Sequence, residues 1–138
     1  MNIAIINGPN LNLLGNRETE LYGNQSFEDF FELLKEKYPH INFTYFQSNV
    51  EGELINELHR VGFESHGIIL NPGGYTHTSI AIGDAVAAIA AKVIEVHISN
   101  IFSREEFRKV SFVSAKSKGI ISGLGLRGYE LALQYFSE

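Results

Sequence analysis

The sequence predicts an α/β protein: five short strands in a parallel sheet, with helices on both faces. Two observations carry this. Short Ile- and Val-rich runs alternate along the chain with longer amphipathic segments. The first run, residues 3–6, is apolar throughout rather than alternating, as expected of a strand buried on both faces. The 138 residues amount to about one domain, so residues 1–138 are expected to fold together.

The first strand is expected over residues 3–6, within Met1-Asn2-Ile3-Ala4-Ile5-Ile6-Asn7, and a long Gly- and Asn-rich loop follows over residues 8–24. Ser26 reads as an N-cap, and Phe27, Phe30, Phe31 and Leu34 recur at i, i+3, i+4 and i+7, predicting a helix that ends near Tyr38-Pro39. β-branched and aromatic residues predict a second strand over 41–47. Leu54, Ile55, Leu58 and Val61 mark a helix stopped by Gly62, and residues 67–71 form the third strand. Thr78 or Ser79 opens an Ala-rich helix running through Ile82, Ala85, Val86 and Ile89, and residues 93–97 form the fourth strand. Ser103 is expected to cap a short helical turn over 104–107, residues 119–122 to form the fifth strand, and residues 129–136 the last helix. Right-handed crossovers make a flavodoxin-like strand order the natural five-strand solution. Such sheets bind ligands at the carboxyl ends of their strands. Those ends fall at residues 7–23, 47–49, 71–78, 97–103 and 122–128, rich in Asn, Ser, Thr, His and Gly.

Composition narrows the function. There is no cysteine, which excludes a disulfide scaffold, a thiol nucleophile and a Cys-ligated metal centre. Net charge is −5 with no basic run, a poor match to a phosphate backbone, so no nucleic-acid partner is expected. No stretch reaches the ~18 apolar residues of a membrane span. The amino terminus lacks a basic signal-peptide region, so a cytoplasmic location is expected.

Several motifs fail. Gly123-Leu124-Gly125-Leu126-Arg127-Gly128 matches GxGxxG, but the acidic partner expected about 20 residues on has no place before Glu138. No P-loop and no GxSxG elbow occur. Asn7 and Asn71 stand where a phosphoacceptor receiver domain requires acids. No histidine pair has the i, i+4 spacing of a helical metal site.

Four pieces can carry chemistry. Arg17-Glu18-Thr19-Glu20-Leu21-Tyr22-Gly23 closes the long first loop, either a functional segment or a solvated one. Asn71-Pro72-Gly73-Gly74-Tyr75-Thr76-His77-Thr78-Ser79 offers paired glycines before a helix N-terminus, to approach a ligand or simply to cap the helix. Glu95 and His97 lie on the same face of a strand, where the carboxylate can fix the histidine tautomer; a satisfied structural histidine is the plainer reading. Arg104-Glu105-Glu106-Phe107-Arg108 can turn one arginine toward a site and the other into an ion pair, or form a salt-bridged surface turn.

Together with Ile6-Asn7-Gly8-Pro9-Asn10-Leu11-Asn12-Leu13-Leu14-Gly15, Gln47-Ser48-Asn49 and Ile98-Ser99-Asn100, these blocks resemble type II 3-dehydroquinate dehydratase, in family order over nearly the whole chain. Thr19 departs from the proline common at that place in the family. The resemblance implies a single catalytic domain that dehydrates 3-dehydroquinate to 3-dehydroshikimate by anti elimination through an enolate. This belongs to the shikimate pathway or to quinate breakdown, and it needs no metal, cofactor or Schiff base. It implies Tyr22 as general base, Arg17 beside it favouring the phenolate, and Asn10 holding the water that stabilises the enolate oxygen. His97 is implied to protonate the departing hydroxyl, with Glu95 orienting it. Asn71, His77, the backbone of Ile98 and Ser99, and Arg108 are implied to bind the substrate. It further implies a dodecamer of four trimers, Asp84 reaching a neighbour's site.

Elementary chemistry is consistent with these roles. A free tyrosine, with a pKa of about 10, is ionised about once in a thousand at pH 7. A neighbouring guanidinium lowers that value by about 1–3 units and stays charged throughout. The competing expectation is a non-catalytic flavodoxin-like module that binds a small polyol or nucleotide, which has no need of Tyr22, Arg17 and His97 together.

Overall fold

The apolar run at the amino terminus becomes the central strand. In the computed structural model, β1 (Asn2–Asn7) is buried from Ile3 to Asn7. The structure describes residues 1–16 and 18–138, with the side chains of all of these except Thr19 and Tyr22. The other strands are β2 (Asn42–Gln47), β3 (Gly67–Asn71), β4 (Lys92–His97) and β5 (Gly119–Ser122). They form one sheet in the order β2-β1-β3-β4-β5, every pair parallel. This is the flavodoxin-like order, with its topological switch point between β1 and β3.

The helices are α1 (Thr19–Tyr22), α2 (Phe27–Lys37), α3 (Glu51–Val61), α4 (Ile80–Ala88) and α5 (Arg127–Phe136). Strand residues alternate between two cores. Ile3, Ile5, Ile69, Ile94 and Val96 pack with Phe27 and Leu34 of α2 and Tyr129, Ala132 and Leu133 of α5. Ala4, Ile6, Ile68, Leu70 and Val93 pack with Leu54, Leu58 and Val61 of α3 and Ile82, Ala85 and Val86 of α4. Ser26 caps α2, its hydroxyl accepting from the Asp29 amide at 3.2 Å. Of the two candidates Thr78 and Ser79, Ser79 caps α4, accepting from Ile82 at 2.9 Å.

Some expectations need correction. The 8–24 segment is not wholly irregular, since it holds a 3-10 turn at Leu11–Leu13 and the short α1. Ser103 is not an N-cap but the last residue of a 3-10 turn, Ile101–Ser103, which Asn100 caps by accepting from the Phe102 amide at 3.1 Å. The second turn there is Glu106–Lys109, again 3-10. The last helix begins two residues early, at Arg127, and the Ala-rich helix stops at Ala88 rather than Ile89.

Candidate active site

β1 and β3 end on Asn7 and Asn71, and their ladder continues as the Gly8 amide donates to the Asn71 carbonyl at 2.7 Å. A Cβ on Gly8 would stand 2.5 Å from the Pro72 carbonyl oxygen, so only glycine allows this approach. The two turns then form one wall of a cleft of about 110 Å³ at the carboxyl end of the sheet. Pro9, Asn10, Asn71, Gly73 and His77 line that side, and His97, Ile98, Ser99, Arg104 and Arg108 line the other. Asn10 sits in the left-handed region, φ 69°, its backbone N–H donating to Asn49 Oδ1 at 3.0 Å.

Glu95 and His97 share a face of β4, and both are buried. His97 Nε2 meets Glu95 Oε2. An ionised carboxylate can only accept, so Nε2 carries the proton and Nδ1 is the ring nitrogen left for other chemistry. Thr76 Oγ1 donates to Glu95 Oε2 at 2.6 Å and Ser114 Oγ to Oε1 at 2.6 Å. Burial works to raise the Glu95 carboxyl, but the hydrogen bond and charge of His97 and the two hydroxyls outweigh it and hold the group below the usual carboxylate range.

His77 lies near His97, ring centroids 6.4 Å apart. Its Nδ1 donates to the Val110 carbonyl at 2.7 Å, leaving Nε2 as an acceptor. Burial lowers its pKa; His97 and Arg108 add to that, while the Val110 carbonyl and Glu95 oppose it. The ring is therefore a neutral hydrogen-bonding partner near pH 7.

Both arginines of the 104–108 turn line the cleft, so the expected division of labour is incomplete. Arg108 faces the cleft and also pairs with Glu105 at 2.8 Å. Arg104 donates to Ser99 Oγ at 3.2 Å and lies 3.8 Å from Glu18. No carboxylate lines the cleft among the described residues, so two guanidinium groups face a small polar space suited to a hydroxylated acid.

The described residues thus bring together Asn10, Asn71, His77, Glu95, His97, Ile98, Ser99 and Arg108. Asp84 is exposed on α4, outside the cleft. Arg17 and the Tyr22 side chain lie outside the described residues. The sequence alone points to no role for Thr76, Ser111, Ser114 and Tyr129, and to Arg104 only as one of two arginines of which one faces a site. For Arg104 the signal was its pairing with Arg108 in one turn. The buried hydroxyls gave none, since serine and threonine are common in turns.

A roomier groove of about 540 Å³ opens at the other end of the sheet, beside Gly62, Phe63, Lys92 and Tyr135. Of its titratable groups, His66 is occupied by the Asn2 amide at 2.9 Å. That end carries none of the dyad's chemistry.

Comparison with known proteins agrees with this geometry. Residues 1–137 match the family described as Dehydroquinase class II. The chain is 51% identical over 138 residues to a 3-dehydroquinate dehydratase of Prochlorococcus marinus (strain MIT 9215), covering 97% of this chain and 92% of that one. It is 50% identical over 144 residues to the 3-dehydroquinate dehydratase of Fusobacterium nucleatum subsp. nucleatum, covering 100% and 97%. The type II dehydroquinase of Butyrivibrio crossotus superposes with a TM-score of 0.96 at 44% identity, covering 100% of this chain and 98% of that one. With the flavodoxin-like sheet, the cleft at its carboxyl end and a match running from the first residue to the last but one, the chain belongs to the class II dehydroquinase family.

Proposed function

We propose that this chain is a 3-dehydroquinate dehydratase, removing water from 3-dehydroquinate by anti elimination through an enolate. The observation that carries the reading is the buried Glu95–His97 pair opening onto a cleft that holds two arginines and Asn10. The base, Tyr22, takes the proton next to the ketone, aided by Arg17. The electron pair moves onto the carbonyl oxygen, where a water on Asn10 stabilises the enolate. As the enolate collapses, the C–O bond breaks, and His97 gives its Nδ1 proton to the departing hydroxyl, which leaves as water. His97 keeps its Nε2 proton toward Glu95. Both groups reset through solvent. Asn71, His77, the Ile98–Ser99 backbone and Arg108 bind the hydroxyls and carboxylate. No metal, cofactor or Schiff base enters this scheme.

The whole chain acts as one catalytic domain, in trimers that gather four at a time, with Asp84 beside a neighbour's cleft. Support for that comes from the exposed apolar side of α4, where Ile80 is 60% exposed. Among the described residues no helix is long and apolar enough to cross a membrane. A cytoplasmic location belongs to the same reading, and cell fractionation tests it.

Adding 3-dehydroquinate and following the ultraviolet absorbance of the conjugated enone tests the activity. The Tyr22→Phe variant is expected to lose about 100-fold or more in kcat while still binding substrate. Most of kcat surviving in that variant overturns the assignment of the base.

A further inference from the structure

We propose that a directed chain of hydroxyls, Ser111 to Thr76 to Glu95, joined by Ser114, sets the proton-donating strength of His97. This rests on the reading of His97 as the proton donor. Ser111 Oγ accepts from the backbone amides of Val113 at 3.2 Å and Ser114 at 3.0 Å. With both lone pairs engaged, its own proton is given to Thr76 Oγ1, 2.6 Å away. Thr76 has one proton and spends it on Glu95 Oε2 at 2.6 Å. Ser114 donates to the other oxygen at 2.6 Å, and His97 Nε2 completes the set. Every donor direction in the chain is fixed by the one before it.

The consequence is electrostatic. Each hydroxyl bond draws negative charge off the Glu95 oxygens, and each is strong because one partner is ionised and Thr76 and Glu95 are fully buried. A carboxylate so occupied pulls less on the imidazolium, which then gives up its Nδ1 proton more readily. No proton passes through Glu95; the bond that breaks is Nδ1–H, and the bond that forms is on the departing oxygen. The hydroxyls do not line the cleft, so they are positioning residues and touch no substrate. Among the described residues, the titratable and charged groups that share the cleft with His97 are His77 from the turn after β3 and Arg104 and Arg108 from the 101–109 segment. All three are unchanged in the variants below.

Thr76→Val keeps the shape and removes the donor, Ser114→Ala removes the second donor at a half-buried site, and Thr76→Ser restores a hydroxyl. In Thr76→Val and Ser114→Ala, kcat is expected to fall about two- to threefold with KM nearly unchanged. The falling limb of kcat against pH is expected to move up by about half a unit, because the dyad holds its proton more tightly. Thr76→Ser is expected to recover both. Wild-type kcat and an unmoved limb in Thr76→Val and Ser114→Ala overturn the proposal, as does a loss that Thr76→Ser fails to restore. His97→Ala separates the two readings. If it is inactive while the hydroxyl variants behave as wild type, only the hydroxyl chain fails; if it is fully active, the proton-donor reading fails with it.

Discussion

The Tyr129 hydroxyl is fully buried and does two things at once. It donates to Asn7 Oδ1 at 2.7 Å and accepts from Asn71 Nδ2 at 2.9 Å. Burial pushes the phenol far above its ordinary range, against the smaller pull of Asn71 and Asn7, so the group stays a neutral donor at any working pH. Asn71 Oδ1 is held in turn by the Gly73 amide at 3.0 Å. The Asn71 amide therefore has one orientation, and its second N–H is what remains for the cleft. Tyr129→Phe leaves Asn7 and Asn71 short of a buried partner, so it is expected to cost about 1–3 kcal/mol. It is also expected to raise KM several-fold, with denaturant unfolding and steady-state kinetics as the two measurements. The sequence placed Asn71 at a strand end but read Tyr129 only as the start of a helix, because a partner 58 residues away leaves no local trace. Glu95 and His97 were legible for the opposite reason, their i, i+2 spacing on a strand being local geometry.

At the scale of elements, α4 decides how the site is closed from behind. A Cβ on Gly83 would stand 2.3 Å from the Phe112 carbonyl oxygen, so helix and loop are in backbone contact there. Phe112 is tied to the cleft as well, its amide donating to the Thr76 carbonyl at 2.8 Å. Gly83→Ala gains about 1 kcal/mol of helix propensity. The collision is expected to outweigh that by about 1–3 kcal/mol, and to move Ser114 off Glu95 and Ser111 off Thr76. Thermal unfolding is expected to show the loss, and kcat to fall more than KM rises. A variant more stable than the parent would show that the loop yields freely. The long helices were legible because a 3.6-residue period over three turns is a strong signal. The 3-10 turns at 101–103 and 106–109 were not, since three or four residues carry no period and a side-chain cap from Asn100 competes with one from Ser103.

Across the whole molecule two properties follow, one of pH and one of assembly. Glu95 has a folded pKa below its unfolded value of about 4.3, so between the two the unfolded chain binds the proton first. Its stabilisation is complete above about pH 5 and is lost as pH falls through the folded value. His77, also lowered, acts with the same sign from about pH 6.5 downward. The denaturation midpoint is thus expected to fall between pH 6 and pH 3, and to fall less steeply in Glu95→Gln. Assembly turns on the outer side of α4. Ile82, Ala85 and Val86 face the chain's own sheet, while Ile80, Ala81, Ala87 and Ala88 are exposed with Asp84 among them. Phe112, in contact with this helix at Gly83, is 40% exposed, and Phe107 and Val110 beside the cleft are 62% and 55% exposed. The exposed apolar side of α4 around Asp84 is costly to leave in water and suits a second copy of the chain. A partner covering it would bring Asp84 against the neighbour's loops, which gives the acid a purpose that a lone helix does not. In the proposed trimer, Ile80→Asp is expected to dissociate the subunits and Asp84→Ala to lower kcat without dissociating them. Light scattering under assay conditions reads the first, and steady-state kinetics at the same concentration reads the second. A fully active monomer would refute the shared site while leaving the proposed roles of Tyr22 and His97 standing.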